Sequence, residues 1–413
     1  MHPDLPPPTL VQDARGFERL LRLLDRVDEL AVDTEADSFF SYREKVCLIQ
    51  VTADEQDFLI DPLAGFDVSG LGDVLADPRK LKVFHDGEYD ILIMKREYRF
   101  EFQNLFDTRV AAATLGTQAP GLAAVLNDRF QITLDKSMQR SDWGVRPLSD
   151  KQIRYARLDT RFLLPLMREQ QADLAERGRA MIVEGECRRL EAITPPDSRF
   201  NPDEFVRLKG SRTLGPVERQ VLREVFIARE RLAEASNQPP FRILNPDSLV
   251  DLAQLKPRTR EGLTRVRGFT EKQVRRIGGD MLDAVTRGLE LGPLKKFPSL
   301  PSRDGTHELS DEETELHERL KNWRKTVAVQ WGIDSAYLLN RHVLLRLAKG
   351  APETPEAVAR IEGIQDWQRD EFASAIADVV RKFVAEVRAG TWQPKRRRGA
   401  RRSDDTADMY AND

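Results

Sequence analysis

The chain has 413 residues, of which 32% are charged and 40% hydrophobic, and its formal net charge is -3. This length suggests two to four domains, and a mean hydropathy of -0.51 is typical of a soluble globular protein. No apolar run approaches the roughly 18 residues of a membrane span, the first residues lack an export signal, and P-loop and GxGxxG patterns do not occur. We therefore expect neither a membrane or exported protein nor one that uses a nucleotide cofactor.

The charge is distributed unevenly along the chain. Residues 1–206 contain 27 basic and 37 acidic residues, whereas residues 207–290 contain 17 basic and 11 acidic residues. An acidic first part beside a basic middle part fits a metal-dependent catalytic domain with an attached polyanion-binding module. The two cysteines, Cys47 and Cys187, form neither a disulfide framework nor a zinc pattern, and they predict a reducing, cytoplasmic location.

The first elements in the chain predict a mixed sheet with helices on its faces. Apolar residues at three- and four-residue spacing predict a helix within residues 9–30, with Asp13 as its N-cap. Segments 46–51 and 58–60, separated by the polar turn TADEQD, predict a hairpin. The further strands are predicted at residues 30–35, 81–84 and 105–106. Because the strands first form a hairpin and then alternate with helices, parallel and antiparallel pairing should coexist.

Two carboxylates, Asp33 and Glu35, stand in the first of these strands, in the sequence LAVDTEAD. Side chains on a strand alternate between its faces, so both acids point the same way. At about 4 Å and an effective dielectric of about 20, their repulsion is on the order of 4 kcal/mol. The pair is therefore either a solvated strand end or part of a site for a hard cation of the Mg2+ or Mn2+ kind.

A third acid, Asp90, follows the strand at residues 81–84, in the sequence KVFHDGEYDI. It begins a helical pattern where an α/β protein can project a side chain over the carboxyl end of its sheet. Asp86 and Glu88 are rival acids in the same segment. Since His85 has no histidine or cysteine partner at metal-ligand spacing, we expect it to pack rather than to bind a metal.

A fourth acid, Asp159, lies in the segment PLSDKQIRYARLDTRF. Ser149 and Gln152 have the spacing of a capping box, which predicts a helix that begins at Asp150. Tyr155 and Asp159 are then one turn apart on the same face. They are either an exposed pair or a site in which the phenol orients a water beside a metal that the carboxylate holds.

The segments AVDTE, HDGEYD and YARLD, in that order, resemble the three exonuclease motifs of the DEDD superfamily, in the subclass with a tyrosine in its third motif. The longer segment LDKSMQRSDWGVRPLSDKQIRYARLD, residues 134–159, is similar to the same region of the ribonuclease D family. The resemblance extends over about residues 9–180. It implies an α/β exonuclease domain of the ribonuclease H-like (DnaQ-like) fold, with a mixed sheet.

This resemblance also implies an activity, that of a 3'-5' exoribonuclease that releases 5'-mononucleotides. The implied partner is RNA with a free 3' end, tRNA precursors in particular, and the implied cofactors are two divalent cations, Mg2+ or Mn2+. By correspondence of the motifs, the metal ligands would be Asp33, Glu35, Asp90 and Asp159, with Asp33 bridging the cations. Tyr155 would help to orient the attacking water.

Three further residues of this domain have roles that the sequence leaves open. Asp107, in the segment FDT, also resembles a superfamily position, and we expect it to support the end of the sheet rather than to hold metal. Trp143 and Arg146 are candidates for contact with nucleic acid, and packing is an equal alternative for both.

The second half of the chain contains an internal repeat. Residues 243–285 and 338–380 align without a gap at an offset of 95, with Gly268 and Gly363 at corresponding breaks. Each copy resembles the HRDC domain, and two copies after the nuclease match the ribonuclease D arrangement. The implied domains are the exonuclease at residues 1–200, two all-α HRDC domains at 207–291 and 306–390, and a disordered charged tail at 391–413.

The first repeat contains a dense basic stretch. Eight cationic side chains fall within its 21 residues: Lys256, Arg258, Arg260, Arg265, Arg267, Lys272, Arg275 and Arg276. They form either a phosphate-contacting face or an ordinary solvated surface. The second repeat lacks this excess and is expected to be mainly structural. The basic run KRRRGARR of the tail either binds RNA loosely or maintains solubility.

Two other functions share part of this evidence. A DNA exonuclease of the Werner type would have the same acids, and nothing in the motifs reads the 2'-hydroxyl of RNA. A catalytically inactive RNA-binding adaptor is the alternative of another class. The complete set of four acids and a tyrosine argues against the adaptor, because a scaffold gains nothing from clustered negative charge.

Overall fold

The computed structural model describes residues 5–196, 199–300 and 309–394. The described residues form two compact units, one comprising residues 5–196, 199–300 and 332–337, and the other comprising residues 309–331 and 338–394. The first unit contains six strands: Thr9–Val11 (β1), Glu29–Ala36 (β2), Val46–Ala53 (β3), Gln56–Ile60 (β4), Leu81–Phe84 (β5) and Leu105–Asp107 (β6).

These strands form one sheet in the order β1-β4-β3-β2-β5-β6. β3 pairs antiparallel with both β2 and β4, whereas the pairs β1–β4, β2–β5 and β5–β6 are parallel. The predicted mixed sheet is therefore confirmed. The hairpin between β3 and β4 is tighter than the predicted turn, because only Asp54 and Glu55, at φ of +47° and +56°, join the strands.

The predicted amino-terminal helix and its N-cap are confirmed, and the helix occupies only part of the predicted range. The helix is Ala14–Leu24 (α1), and the Asp13 side chain accepts a hydrogen bond from the Gly16 amide at 2.6 Å. Residues 9–11 form β1 instead, because they pair in parallel with Phe58–Ile60 of β4. That pairing joins residues almost fifty positions apart, so the spacing of apolar residues within the segment cannot predict it.

Seven further helices lie within residues 70–192: Gly70–Ala76 (α2), Glu88–Tyr98 (α3), Thr108–Thr114 (α4), Leu122–Phe130 (α5), Asp150–Arg161 (α6), Leu163–Glu176 (α7) and Ala180–Ala192 (α8). Helix α6 covers the sheet face that carries Asp33. Thr52 of β3 is in register with Ala31 and so shares this face, and its Oγ1 lies 2.8 Å from Oγ1 of Thr160 on α6. This contact places α6 directly over the acids of β2.

The helical repeat is confirmed in the structure. The first copy comprises Pro216–Ala235 (α9), Pro240–Ile243 (α10), Pro246–Leu255 (α11), Arg260–Leu263 (α12) and Glu271–Glu290 (α13). The second copy comprises Asp311–Trp331 (α14), Ser335–Leu338 (α15), Arg341–Gly350 (α16), Pro355–Ala359 (α17) and Asp366–Arg388 (α18). Each helix of the second copy begins 95 residues after its counterpart. Gly268 and Gly363 share a left-handed backbone, with φ of +82° and +87°, which glycine adopts without steric cost.

The remaining expectations about chain organisation are only partly covered by the structure. The domain boundaries that the resemblance implies stay predictions. The predicted charged tail, residues 391–413, lies outside the described residues from residue 395 onward. Within the part of the chain that the structure describes, no helix has the length and apolar character needed to cross a membrane.

Candidate active site

The motif residues from three separate segments converge on one cavity of about 430 Å³. Strand β2 provides Asp33 and Glu35, helix α3 provides Asp90, and helix α6 provides Tyr155 and Asp159. The structure thus brings together all five residues that the sequence singled out for catalysis. Their segments are up to 126 positions apart, so only the sheet and the helices on it create this proximity.

Three of the carboxylates lie close enough to share a cation. One oxygen from each of Asp33, Glu35 and Asp159 lies within 4.8 Å of the others. The alternation of β2 directs the first two toward α6, and the capping box of Ser149 and Gln152 fixes where α6 begins. The Gln152 side chain also donates to the Asp142 carbonyl at 3.1 Å, which holds the start of the helix against the preceding loop.

Asp90 is held in the cavity from the other side. Its Oδ1 accepts a hydrogen bond from the Thr34 amide at 3.2 Å and a second, short one from the Thr34 hydroxyl. Helix α3 begins close to the sheet because Gly87 lacks a side chain: a Cβ there would lie 2.6 Å from the Cβ of Phe84. Asp90, buried in the first turn of α3, is therefore oriented by the residue between the two β2 acids.

Burial and mutual repulsion shape the electrostatics of this cluster. Burial, reinforced by Asp90 and by the other acids, raises the pKa values of Asp33, Glu35 and Asp159 well above their ordinary range. Burial raises the pKa of Asp90 to about 6, although its hydrogen bonds from Thr34 oppose the change. Burial and the neighbouring acids also raise the pKa of Tyr155. Bringing a cation into the cavity would favour the ionised carboxylates and relieve their repulsion.

The donor set fits a hard divalent cation, because carboxylate oxygens are the ligands that Mg2+ and Mn2+ prefer. Gln50 supports this fit. It lies directly opposite Asp33 in the β2–β3 register and is fully buried, yet neither its amide nitrogen nor its oxygen has a hydrogen-bond partner among the described residues. A buried amide of this kind can bind water in the outer shell of a cation. Gln50 was not among the predicted site residues, although a polar residue inside the apolar run VCLIQV was a visible signal.

The rival acids of the second motif lie in ion pairs. Asp86 pairs with Arg109 at 2.8 Å and keeps 65% of its side chain exposed, and Glu88 pairs with Arg189. Asp107 accepts hydrogen bonds from the Asp86 and Gly87 amides at 3.1 and 2.8 Å, so it supports the loop and the end of the sheet. These contacts leave Asp90 as the acid of this segment that faces the other motif acids.

His85 packs as the sequence analysis expected. Its Nδ1 forms a hydrogen bond with Oγ1 of Thr108 at 2.8 Å. Burial lowers the pKa of His85 to about 4, so the ring is neutral at neutral pH. The ring nevertheless lines the edge of the cavity, together with Tyr89, Arg109, Lys136 and Gln139, which the sequence analysis did not single out.

Of the two alternatives for Trp143 and Arg146, nucleic-acid contact or packing, the structure favours packing. Trp143 is 1% exposed, and its ring centroid lies 6.0 Å from that of Tyr155, so it packs against the Tyr155 ring. Arg146 donates to both carboxylate oxygens of Asp61, at 2.7 and 2.8 Å, and to the Cys47 carbonyl. Both side chains are engaged inside the protein, which favours the packing alternative.

The basic stretch of the first repeat lies largely on the surface. Lys256 donates to Glu218 at 3.2 Å, Arg267 lies 3.4 Å from Asp251, and Arg275 lies 4.0 Å from Glu271. Arg276 donates to a backbone carbonyl. Among the described residues, the structure gives no ion pair to the exposed side chains of Arg258, Arg260, Arg265 and Lys272. These four are the cations of the stretch with the most freedom to contact phosphate.

Known protein families match both parts of the chain. The 3'-5' exonuclease family matches residues 8–174, and the HRDC domain family matches residues 218–285 and 313–380. Ribonuclease D of Zymomonas mobilis is 32% identical over 291 residues, which cover 69% of this chain and 73% of that protein. Ribonuclease D of Nitrobacter hamburgensis is 30% identical over 355 residues, which cover 84% of this chain and 88% of that protein.

A solved structure extends the likeness to the fold. The crystal structure of Escherichia coli ribonuclease D has a TM-score of 0.65 at 22% identity, and the match covers 91% of this chain and 99% of that one. The shared fold therefore includes the helical repeats as well as the nuclease. With the family matches and the two relatives, this shows that the chain belongs to the ribonuclease D family of 3'-5' exoribonucleases.

Proposed function

We propose that Asp33, Glu35, Asp90 and Asp159 bind two divalent cations, Mg2+ or Mn2+, with Asp33 bridging them. The observation that carries this proposal is the approach of three carboxylates to within 4.8 Å of one another, in a cavity that Asp90 also lines. When bound, the two cations would activate the attacking water and stabilise the charge that develops on the leaving 3' oxygen.

The protein's own residues supply the positioning. Tyr155 lies one helical turn from Asp159, and its hydroxyl is protonated at neutral pH, so it can hydrogen bond with the attacking water. Trp143 packs against the Tyr155 ring and limits its motion. Thr34 holds the Asp90 carboxylate in one orientation. Preorganisation of this kind places the reacting groups before the substrate arrives.

We further propose that the natural substrates are structured RNAs with a short single-stranded 3' end, tRNA precursors among them. Support comes from family membership and from the exposed cations of the first repeat, which suit a polyanion. In this scheme the exonuclease comprises residues 1–200 and the HRDC domains comprise residues 207–291 and 306–390. The basic stretch binds the body of the RNA while the cavity cleaves its end.

The test is digestion of 3'-labelled and 5'-labelled RNA and DNA strands of one sequence, with Mg2+, Mn2+ or EDTA. We expect metal-dependent release of mononucleotides from the 3' end of RNA, faster than from DNA and absent in Asp33→Asn. Faster cleavage of DNA would instead support the Werner-type alternative. Full activity of Asp33→Asn would contradict the metal assignment.

A matched pair of variants tests the choice between neighbouring acids of the second motif. Asp90→Asn removes the buried acid of the cavity, whereas Glu88→Gln removes an acid with 53% of its side chain exposed, on the same helix. We expect turnover to be lost in the first variant and retained in the second. Loss of activity in both would show that the segment as a whole, and not Asp90, determines activity.

A further inference from the structure

Three exposed aromatic side chains lie on segments that connect the cavity with the first helical repeat. Tyr89 is 45% exposed and lines the cavity itself. Phe39, in the loop between β2 and β3, is 45% exposed, and Phe241, at the start of α10, is 51% exposed. Exposed aromatic rings that lie close together on a protein surface mark an interaction site more often than single exposed residues do. We call these three residues the aromatic track.

Tyr89 is fixed at the cavity end of this track. Its hydroxyl donates to the Glu44 carboxylate at 2.9 Å, and the Ser38 hydroxyl forms a hydrogen bond with the same Tyr89 oxygen. Arg96 in turn donates to Glu44 at 2.9 Å. The polar end of Tyr89 is therefore anchored to the β2–β3 loop, and the ring keeps exposed surface. A ring held in this way loses little side-chain entropy when a ligand stacks on it.

The β2–β3 loop joins Tyr89 to the first helical repeat within the same compact unit. Phe39 follows Ser38 directly, and its ring contacts Phe241 edge to face, with centroids 6.4 Å apart. Tyr42 of this loop donates from its hydroxyl to Glu230 on α9 at 2.8 Å. The loop thus connects the catalytic strand to α9 and α10, and the aromatic track follows that connection.

Positive charge continues from the far end of the track. The Arg242 guanidinium lies 4.3 Å from the ring centroid of Phe40, and the Arg242 carbonyl accepts a hydrogen bond from Arg276 at 3.4 Å. Arg276 belongs to the basic stretch, whose exposed cations suit phosphate groups. The acidic cavity, the exposed rings and the basic surface are therefore linked by a series of hydrogen bonds, a ring contact and residues adjacent in the chain.

We propose that the aromatic track binds the single-stranded 3' segment of the RNA substrate by stacking its bases, so that the strand runs from the first repeat into the cavity. This inference rests on the proposed function. Proteins that bind single strands without sequence preference combine rings that stack bases with a basic surface that follows the backbone. The continuity of the track with the catalytic cavity favours a nucleic-acid strand over a protein partner.

The first experiment measures binding in the Asp33→Asn background, where the RNA is not consumed. A 3'-labelled 12-nucleotide RNA is titrated with this variant and with versions that also carry Tyr89→Ala, Phe39→Ala or Phe241→Ala. Stacking of one base on an aromatic side chain corresponds to roughly 5- to 150-fold in affinity, so each change should raise Kd at least about fivefold. Phe241→Leu, which keeps an apolar side chain but no aromatic face, should show the same loss.

A matched control and a salt titration separate stacking from other effects. Phe200→Ala removes a ring that is 37% exposed but packs on Phe226, and its Kd should stay within twofold. The aromatic variants should keep the slope of log Kd against log salt concentration, because they remove no phosphate contact. Arg265→Ala should reduce that slope by about 0.7, the value for one phosphate of a single strand.

The second experiment locates the bases. A 2-aminopurine base placed near the 3' end should be quenched by stacking, and Tyr89→Ala should restore its fluorescence. A base placed further from the 3' end should respond to Phe241→Ala instead. In the otherwise wild-type chain, Phe241→Ala should slow hydrolysis of the 12-nucleotide RNA more than it slows hydrolysis of a dinucleotide.

Two results would overturn the proposal: Kd values within twofold of the parent for all three alanine variants, or an equal loss in the Phe200→Ala control. Failure of the proposed function is distinguishable from these outcomes. A wild-type chain that binds RNA but releases no mononucleotide with either metal would refute the nuclease function. The binding and fluorescence measurements would still show whether the aromatic track binds the RNA strand.

Discussion

Replacing Asp90 by asparagine should stabilise the metal-free protein while abolishing its activity. Asp90 is buried, and its pKa rises from 3.8 in the unfolded chain to about 6 in the folded protein. A carboxyl whose pKa is raised on folding contributes stability below its unfolded pKa, and this contribution is lost as the pH rises through the folded value. The difference between 3.8 and about 6 corresponds to about 3 kcal/mol of lost stability above pH 6 to 7.

An asparagine at position 90 does not lose stability as the pH rises, because its side chain does not ionise. Its side-chain oxygen can still accept both hydrogen bonds from Thr34. In EDTA, we therefore expect the free energy of unfolding of Asp90→Asn to exceed that of the wild type by about 3 kcal/mol at pH 8. The difference should shrink as the pH falls through 6 and disappear well below 3.8, where the wild-type carboxyl is protonated in both states.

The assay is urea unfolding at a series of pH values in EDTA, followed by the same series with saturating Mg2+. Metal should reverse the order, because a ligand present at 1,000 times its Kd stabilises the folded wild type by about 4.1 kcal/mol, more than the difference of about 3 kcal/mol, and the variant lacks one of the four acids. A less stable Asp90→Asn at pH 8 in EDTA, or a difference that does not change with pH, would refute the reasoning.

The other predictions concern the metal, the phenol, the packing below α3 and the basic stretch. Millimolar Mg2+ or Mn2+ should raise the Tm of the wild type relative to EDTA, because only the folded state gathers the acids; an unchanged Tm in calorimetry would count against the site. Tyr155→Phe should lower kcat at least about tenfold in single-turnover assays while RNA affinity stays constant. Gly87→Ala should destabilise the protein by about 1 to 3 kcal/mol in urea unfolding, because the new Cβ would lie 2.6 Å from Phe84, whereas Gly279→Ala, in open space on α13, should not. Lys272→Ala should weaken binding of all RNA sequences to a similar extent and leave dinucleotide hydrolysis unchanged, as filter binding and product assays can show.

Several local features of this protein were predictable because neighbouring residues determine them. The capping box of Ser149 and Gln152 starts α6 at Asp150, as its spacing predicted. Strand alternation placed Asp33 and Glu35 on one face, and helical spacing placed Tyr155 one turn from Asp159. The internal repeat was visible as an offset of 95 residues, and each helix of the second copy begins at that offset.

Other features depend on contacts between distant segments, and the sequence left them open or gave no sign of them. Trp143 and Arg146 lie in a motif that resembles a functional region, yet Trp143 is 1% exposed and Arg146 is paired with Asp61, 85 positions away. The position of Gln50 opposite Asp33 follows from strand register, and the Phe39–Phe241 contact follows from the placement of a loop against a helix.

The sequence by itself therefore indicated the class of chemistry, because its ordered motifs, with four acids and a tyrosine, resemble those of the DEDD exonucleases. It also determined the local elements on which these residues lie, since hydrogen bonds within a helix or a cap connect positions three or four apart. Only the tertiary structure decided which side chains are buried and which remain available to RNA, because burial depends on packing between segments far apart in the chain.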